Sequence, residues 1–391
     1  MLGLTSLFTD ISSQMVVSVL PIYLVAFLRL TPVQFGLIDG LYHGVAAVMQ
    51  LASGIVSDRW QRQKEVAAIG YASSALSRLG LLMTTAWTGI AGILVVDRLG
   101  KGLRTAPRDA LISLSAPSDR LGTAFGVHRA MDAMGAMLGP VLAFVLLTFV
   151  PRAFDVVFVT SFLVSLIGLA VLLLFVENRP IERHTHDTTS GYSSRAVSEL
   201  MGNRRFRHLA FCALILGLMT MSDAFVYLVL QRQMNFAVGS FPLLYVLTSL
   251  GYLMLAIPAG LLADRIGRFR VFAGGYAALV VLYAVLILAP ATPAALFGSV
   301  LLLSVYYAAT EGVLMALAGV VVPDTFRTTG LAVLTTATAV ARLGASLIFG
   351  LAWFRLGLKP AVSMFLLGLL IAVGLAVVTV PRAPQAPTLG R

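Results

Sequence analysis

Apolar residues in this chain come in blocks of roughly 20 to 28, each closed by a short polar or Gly/Pro-bearing segment. An α-helix needs about 20 apolar residues to cross the hydrocarbon of a bilayer, so each block reads as one spanning helix. Twelve blocks are predicted, near residues 4–28, 33–56, 65–86, 89–112, 122–150, 155–176, 207–231, 240–262, 269–290, 294–320, 328–352 and 361–381. The one long polar stretch, 177–206, divides them six and six. The expected organisation is an all-α membrane protein: an N-terminal six-helix bundle (1–176), a central loop (177–206), a C-terminal six-helix bundle (207–381) and a short tail (382–391).

Composition leads to the same solvent. Hydrophobic residues make up 59% of the 391 and charged residues 12%, with mean hydropathy +0.92. A soluble domain carries about a quarter charged residues, so this chain lacks the polar surface to cover itself in water. The first apolar run is too long for a signal-peptide core and holds Asp10, so no cleaved leader is expected. Cys212 is the single cysteine, which excludes an intrachain disulfide and a thiolate metal site. His184 and His186 are too few for a metal site, so neither metal nor cofactor is expected.

The net charge of +11 would suggest nucleic acid in a soluble protein, but here it reports topology. With the N-terminus inside, sixteen Lys and Arg residues fall on the cytoplasmic side, five on the other, and seven within the spans. Both termini are therefore expected in the cytoplasm, with the chain in the cytoplasmic (inner) membrane and no nucleic-acid partner.

The string Gly54-Ile-Val-Ser-Asp58-Arg59-Trp-Gln-Arg62-Gln-Lys64 returns as Gly260-Leu-Leu-Ala-Asp264-Arg265-Ile-Gly-Arg268-Phe-Arg270, and Pro117 returns as Pro323, both at an offset of 206. Weak similarity between halves marks a duplicated bundle. Small Gly allows close helix approach, Asp at a helix end can pair with Arg and with free amides, and the cations hold the cytoplasmic side. The first copy has Gln61 where the second has Gly267, which predicts a less tightly turned loop there.

This repeated string resembles the signature loop of the major facilitator superfamily, and the likeness extends over essentially the whole chain through helix count, polar midpoint and repeat. Arg98-Leu-Gly-Lys-Gly102 in helix 4 resembles that family's Arg-x-x-x-Gly motif, and Gly135-Ala-Met-Leu-Gly139-Pro140 in helix 5 resembles the Gly-x-x-x-Gly-Pro motif of its antiporters. The trailing glycine pair of that motif is absent, Ala143 and Phe144 standing there instead. The resemblance implies a secondary transporter working by alternating access, with two halves rocking about a midplane cavity. Gly54, Asp58, Arg59, Arg62, Gly260, Asp264, Arg265 and Arg268 would gate the motion. It implies proton-coupled export of a small organic solute by a monomer; the alternative is proton-coupled uptake of an organic anion or metal chelate. An intramembrane enzyme or lipid scramblase is a third class, but no nucleophile–base pair or metal-ligand spacing supports an enzyme.

Charges inside the spans are the candidate chemistry, since each ionised group at mid-bilayer costs about 2.5–3.5 kcal/mol unless paired or wet. The acids are Asp10, Asp39, Asp97, Asp109, Asp132, Asp223 and Glu311; the bases are Arg78, Arg98, Lys101, Arg104, Arg108, Arg129 and Arg342. Asp10, Asp223, Asp39, Asp132 and Glu311 are the candidates for proton coupling, because burial disfavours a charged carboxyl. Arg98, Lys101, Arg129, Gln14 and Tyr307 are the candidate substrate-cavity residues. Asp97, Lys101, Arg104 and Arg108 share one face of helix 4, so Asp97 is expected to pair with Lys101. Pro107 is expected to disrupt the last turns of that helix. Asp132 is expected to pair with Arg129 or Arg98, and Asp39 with His43 one turn on.

Overall fold

A computed structural model describes residues 1–60, 63–115, 121–176, 199–322 and 327–379. Twelve long helices stand among them, in the order predicted. They are α1 (Leu2–Ile22), α2 (Pro32–Trp60), α3 (Gln63–Met83), α4 (Trp87–Ser115), α5 (Leu121–Phe149) and α6 (Phe154–Phe175). The second six are α7a (Arg204–Leu218) with α7b (Asp223–Met234), α8 (Pro242–Ile266), α9 (Arg268–Leu288), α10 (Pro293–Val321), α11 (Arg327–Leu356) and α12 (Leu358–Thr379). No β-strand occurs among the described residues. Ten of their helical stretches are long and apolar enough to cross a membrane; α4, with Asp97, Arg98, Lys101 and Arg104 close together, is not one of them.

Local chemistry explains the boundaries. Pro21 lies inside α1, and the chain then widens into a π-turn over Tyr23–Phe27, with Leu28 N–H bonded to Tyr23 O at 2.9 Å. A capping box opens α2: Thr31 N–H donates to Gln34 Oε1 at 2.9 Å, and Gln34 N–H donates to Thr31 Oγ1 at 3.3 Å. Between α8 and α9, Gly267 takes φ +102°, a conformation that favours glycine.

Two findings differ from the sequence reading. Pro107 does not end α4, which runs on to Ser115. The seventh span, Phe206–Met234, is not one continuous helix: it breaks over residues 219–222, where Met221 N–H donates to Tyr283 Oη at 2.7 Å and Tyr283 Oη donates to Met219 O at 3.3 Å. Tyr283 thus serves a donor and an acceptor that the interrupted helix leaves free, and Ser222 caps α7b through Phe225 N–H at 3.5 Å.

The chain divides into two compact units. One contains Met1–Gly191, Ser222–Val246 and Ser346–Phe354; the other contains Tyr192–Met221, Leu247–Ala345 and Arg355–Arg391. Within the first, α1 lies against α5 and α6, α3 against α4 and α6, and α2 against α4. It also holds the contact of α2 with the end of α11: a Cβ on Gly36 would stand 3.3 Å from Gly350 Cα, and Phe225 meets Phe35 and Phe349 with ring centroids 4.9 and 4.8 Å away. Within the second unit, α9 lies against α10 and α12, α7a against α12, and Ser304 of α10 donates to Thr248 O of α8 at 3.2 Å. Four neighbour relations of the first six helices therefore recur six helices later.

Candidate functional site

The polar residues of the first unit collect where α1, α3, α4 and α5 meet, and small residues make that meeting possible. A Cβ on Gly135 would lie 2.8 Å from Leu7 O and one on Gly139 2.6 Å from Ile11 O, so α5 rests on the backbone of α1. A Cβ on Gly70 would lie 2.7 Å from Gly100 O, so α3 rests on α4 in the same way.

The buried hub is Asp97, 5% exposed. Arg78 Nη1 on α3 donates to Asp97 Oδ1 at 2.8 Å, and Arg98 Nε donates to Oδ2 at 2.9 Å, with its Nη2 on the same oxygen. Ser77 Oγ adds a bond to Oδ1 at 3.4 Å, and Arg78 Nη2 reaches Ser13 Oγ on α1 at 2.8 Å. The Arg98 guanidinium lies over the Tyr42 ring at 3.9 Å. Asp97 was expected to pair with Lys101; the tight α3–α4 contact brings Arg78 across instead, and two planar guanidiniums saturate the carboxylate. Arg78 carried no signal in the sequence beyond being a base in a span, because its partner lies 19 residues away on another helix.

One turn further along α4 stands a second cluster. Asp10 on α1 lies against α5 one turn from Asp132, a Cβ on Gly135 standing 2.9 Å from Asp10 Cβ, and the two carboxyls act on each other. His128 Nε2 lies 3.4 Å from Asp132 Oδ2, so Asp132 meets His128 and Asp10 rather than Arg98 or Arg129. Arg104, 3% exposed, places Nη2 4.0 Å from Asp10 Oδ1 and its guanidinium 4.5 Å from the Tyr71 ring centre. Its Nη1 is buried with no hydrogen-bond partner among the described residues. The Lys101 ammonium feels the charges of Arg98, Asp10, Arg104 and Asp97, yet has no carboxylate within 4 Å among the described residues. Gln14 packs beside Gly139, whose Cβ would stand 2.7 Å from Gln14 Cβ. Arg129 is exposed on α5. Arg108 and Asp109 bind each other at 2.9 Å.

The remaining candidates stand elsewhere. Asp39 Oδ2 accepts from Ser346 Oγ at 2.5 Å, with His43 Nε2 4.0 Å from Oδ1. Asp223 is the first residue of α7b and half-buried. In the second unit, Glu311 is exposed with Arg342 Nη2 3.9 Å away, and Tyr307 packs on Tyr306 at 5.1 Å between ring centroids. Of the repeated string, Asp264 meets Arg268 at 3.6 Å on an exposed face that also holds Arg265. A Cβ on Gly260 would find no atom within 4 Å among the described residues, so no close helix approach is seen at that position. Arg62, Pro117, His184, His186 and Pro323 lie outside the described residues, as do the side chains of Asp58 and Arg59 and the surroundings of Gly54.

Residues 2–346 match the family model of the Major Facilitator Superfamily, and the chain belongs to that family. It is 29% identical over 385 residues to an uncharacterised MFS-type transporter of Methanocaldococcus jannaschii, covering 95% of this chain and 92% of that one. It is 32% identical over 124 residues to an uncharacterised protein of Mycobacterium tuberculosis, covering 30% of this chain and 29% of that one. Its fold is similar to that of the nucleoside transporter NupG, with TM-score 0.79 and 14% identity over 97% of both chains. A POT family transporter crystallised with 5-aminolevulinic acid gives TM-score 0.77 at 13% identity over 96% of this chain and 94% of that one. The chain is thus a multi-pass membrane protein of a transporter family.

Proposed function

We propose that this member of the superfamily is a proton-coupled secondary transporter of a small organic solute, working by alternating access, with Asp10 and Asp132 as the proton-exchanging pair. One observation carries the reading: two partly buried carboxyls from different helices, 22% and 26% exposed, stand close together where Gly135 lets α5 rest on α1. Two carboxylates in contact repel, so such a pair favours a state with one shared proton and can release it when its surroundings change. Asp39 is engaged with Ser346, Asp223 lies at a helix start, and Glu311 lies beside Arg342.

Export by antiport is the direction that the Gly135/Gly139/Pro140 string supports. A second reading, uptake of an organic anion together with the proton, is favoured by the cations around Asp10. Under either reading the protein functions as a monomer in the cytoplasmic membrane, with both termini inside, as the distribution of Lys and Arg supports. The test uses proteoliposomes holding a pH-sensitive dye, given a panel of benzoate, citrate, uridine and tetraphenylphosphonium. At least one solute should move protons with the parent, and Asp10→Asn and Asp132→Asn should each abolish solute-driven proton movement. Unchanged proton movement in both variants overturns the assignment.

A further inference from the structure

The chain contains only three lysines, Lys64, Lys101 and Lys359, against a large excess of arginine, and Lys101 alone lies inside a predicted span. Around it the charges do not balance. Among the described residues, the carboxylates that meet or act on Arg78, Arg98, Lys101 and Arg104 are Asp97 and Asp10, with Asp132 beside Asp10. Asp97 is fully used by two guanidiniums. Arg104 reaches Asp10 only at 4.0 Å, its Nη1 unbonded, and Lys101 has no carboxylate within that distance among the described residues. A shared proton on the Asp10–Asp132 pair removes one more negative charge. An unbalanced cation of this kind is costly away from bulk water and calls for a counter-anion.

We propose that Lys101 and Arg104 form the binding site for an anionic group, a carboxylate or phosphate, on the transported solute, and that anion and proton load together. Lys101 supplies a compact point charge with three donors, and the unbonded Arg104 Nη1 supplies a directional donor. The bound anion takes up positive field that otherwise acts on Asp10, so the carboxyl pair holds its proton more firmly. By reciprocity, the protonated pair holds the anion more firmly. Joint loading is the thermodynamic signature of cotransport, so this inference selects the second reading of the proposed function and rests on proton exchange at Asp10 and Asp132.

The other charges that act on this pair are placed so as not to supply the counter-ion. From α4, Arg108 acts on Asp132 but is bound to Asp109; from α5, His128 lies against Asp132 and Arg129 is exposed. From α3, Arg78 is committed to Asp97 and Ser13, and Tyr71 presents its ring face to Arg104. None of these brings a further carboxylate to Lys101.

With so few lysines, reductive 13C-methylation gives a readable NMR spectrum of the full chain in lipid nanodiscs, and Lys101→Arg assigns the Lys101 signal. Benzoate, citrate, inorganic phosphate and sulfate are the probes, with uridine and tetraphenylphosphonium as controls. The expected result is a saturable shift of the Lys101 signal with an organic anion and no shift at Lys64 or Lys359. Its apparent affinity should strengthen as pH falls from 8 to 6, by at most about tenfold per pH unit for one linked proton. Lys101→Gln should raise the anion concentration for half-maximal flux by roughly tenfold or more, the effect of losing a charged hydrogen bond. Asp132→Asn should keep the shift and lose its pH dependence. A Lys101 signal that no anion moves, or that only a control moves, overturns the site. A saturable anion shift that is independent of pH in the parent leaves the site standing and overturns joint loading.

Discussion

Arg78 on α3 is held at both ends of its guanidinium: Nη1 donates to Asp97 Oδ1 at 2.8 Å and Nη2 to Ser13 Oγ at 2.8 Å, tying α3 to α4 and α1 at once. Both Arg78 and Asp97 are almost fully buried, so neither can turn to water if its partner is lost. Removing one member of a buried ion pair costs about 3–5 kcal/mol, because the other charge stays in place. Arg78→Ala should therefore lower the unfolding temperature sharply, whereas Arg78→Lys, which keeps the charge but not the fork, should lower it less. The buried thiol of Cys212, the only cysteine, reports unfolding through a thiol-reactive dye. Equal melting of Arg78→Ala and parent would show that the Arg98–Asp97 contact suffices.

The α1–α5 contact makes a contrasting pair of predictions for glycine. Gly135→Ala and Gly139→Ala place a methyl 2.8 Å from Leu7 O and 2.6 Å from Ile11 O, and overpacking of that kind costs about 1–3 kcal/mol. Gly126→Ala, on the same helix with nothing within 4 Å among the described residues, should stabilise by about 0.5–1 kcal/mol through helix propensity. Thermal melts of the three variants decide it. Stabilisation by all three would mean that α1 and α5 are not in contact at Gly135 and Gly139.

Asp39 and Ser346 join α2 to α11 through a 2.5 Å hydrogen bond. A hydrogen bond to a charged group contributes about 1.5–3 kcal/mol. A double-mutant cycle with Asp39→Ala and Ser346→Ala should return a coupling of that size, and additive single effects would show that the two side chains do not interact in solution.

The break in the seventh helix depends on one phenol. Tyr283→Phe leaves Met221 N–H without its acceptor and should cost about 1–3 kcal/mol, with faster amide hydrogen exchange confined to residues 219–222. Exchange that stays as slow as in the parent would mean that the break is held by Ser222 capping alone.

Helix number and order were legible in the sequence because lipid tolerates only closed backbone hydrogen bonding, so a run of about 20 apolar residues has essentially one structural option. Gly267 was legible as a turn for a similar local reason, and Gly135 and Gly139 as a smooth face of α5. The broken helix was not. Leu216 to Ser222 is apolar enough to continue a span, and the break is held by Tyr283, some 62 residues away in sequence.

The sequence alone determined where the helices run, the repeated string at an offset of 206, and which helices carry charge, since each follows from hydropathy, spacing and composition of neighbouring residues. Only the tertiary structure decided which charge meets which. Asp97 could have chosen Lys101 one turn along its own helix, but the Gly70–Gly100 contact brings α3 close enough for Arg78 to displace it, and Lys101 is left with no carboxylate within 4 Å among the described residues. The approach of Asp10 to Asp132 depends in the same way on Gly135 letting α5 rest on α1. Partner choice among buried charges is set by a few ångströms of helix separation, a quantity fixed by small residues on two helices at once and so carried by neither helix alone.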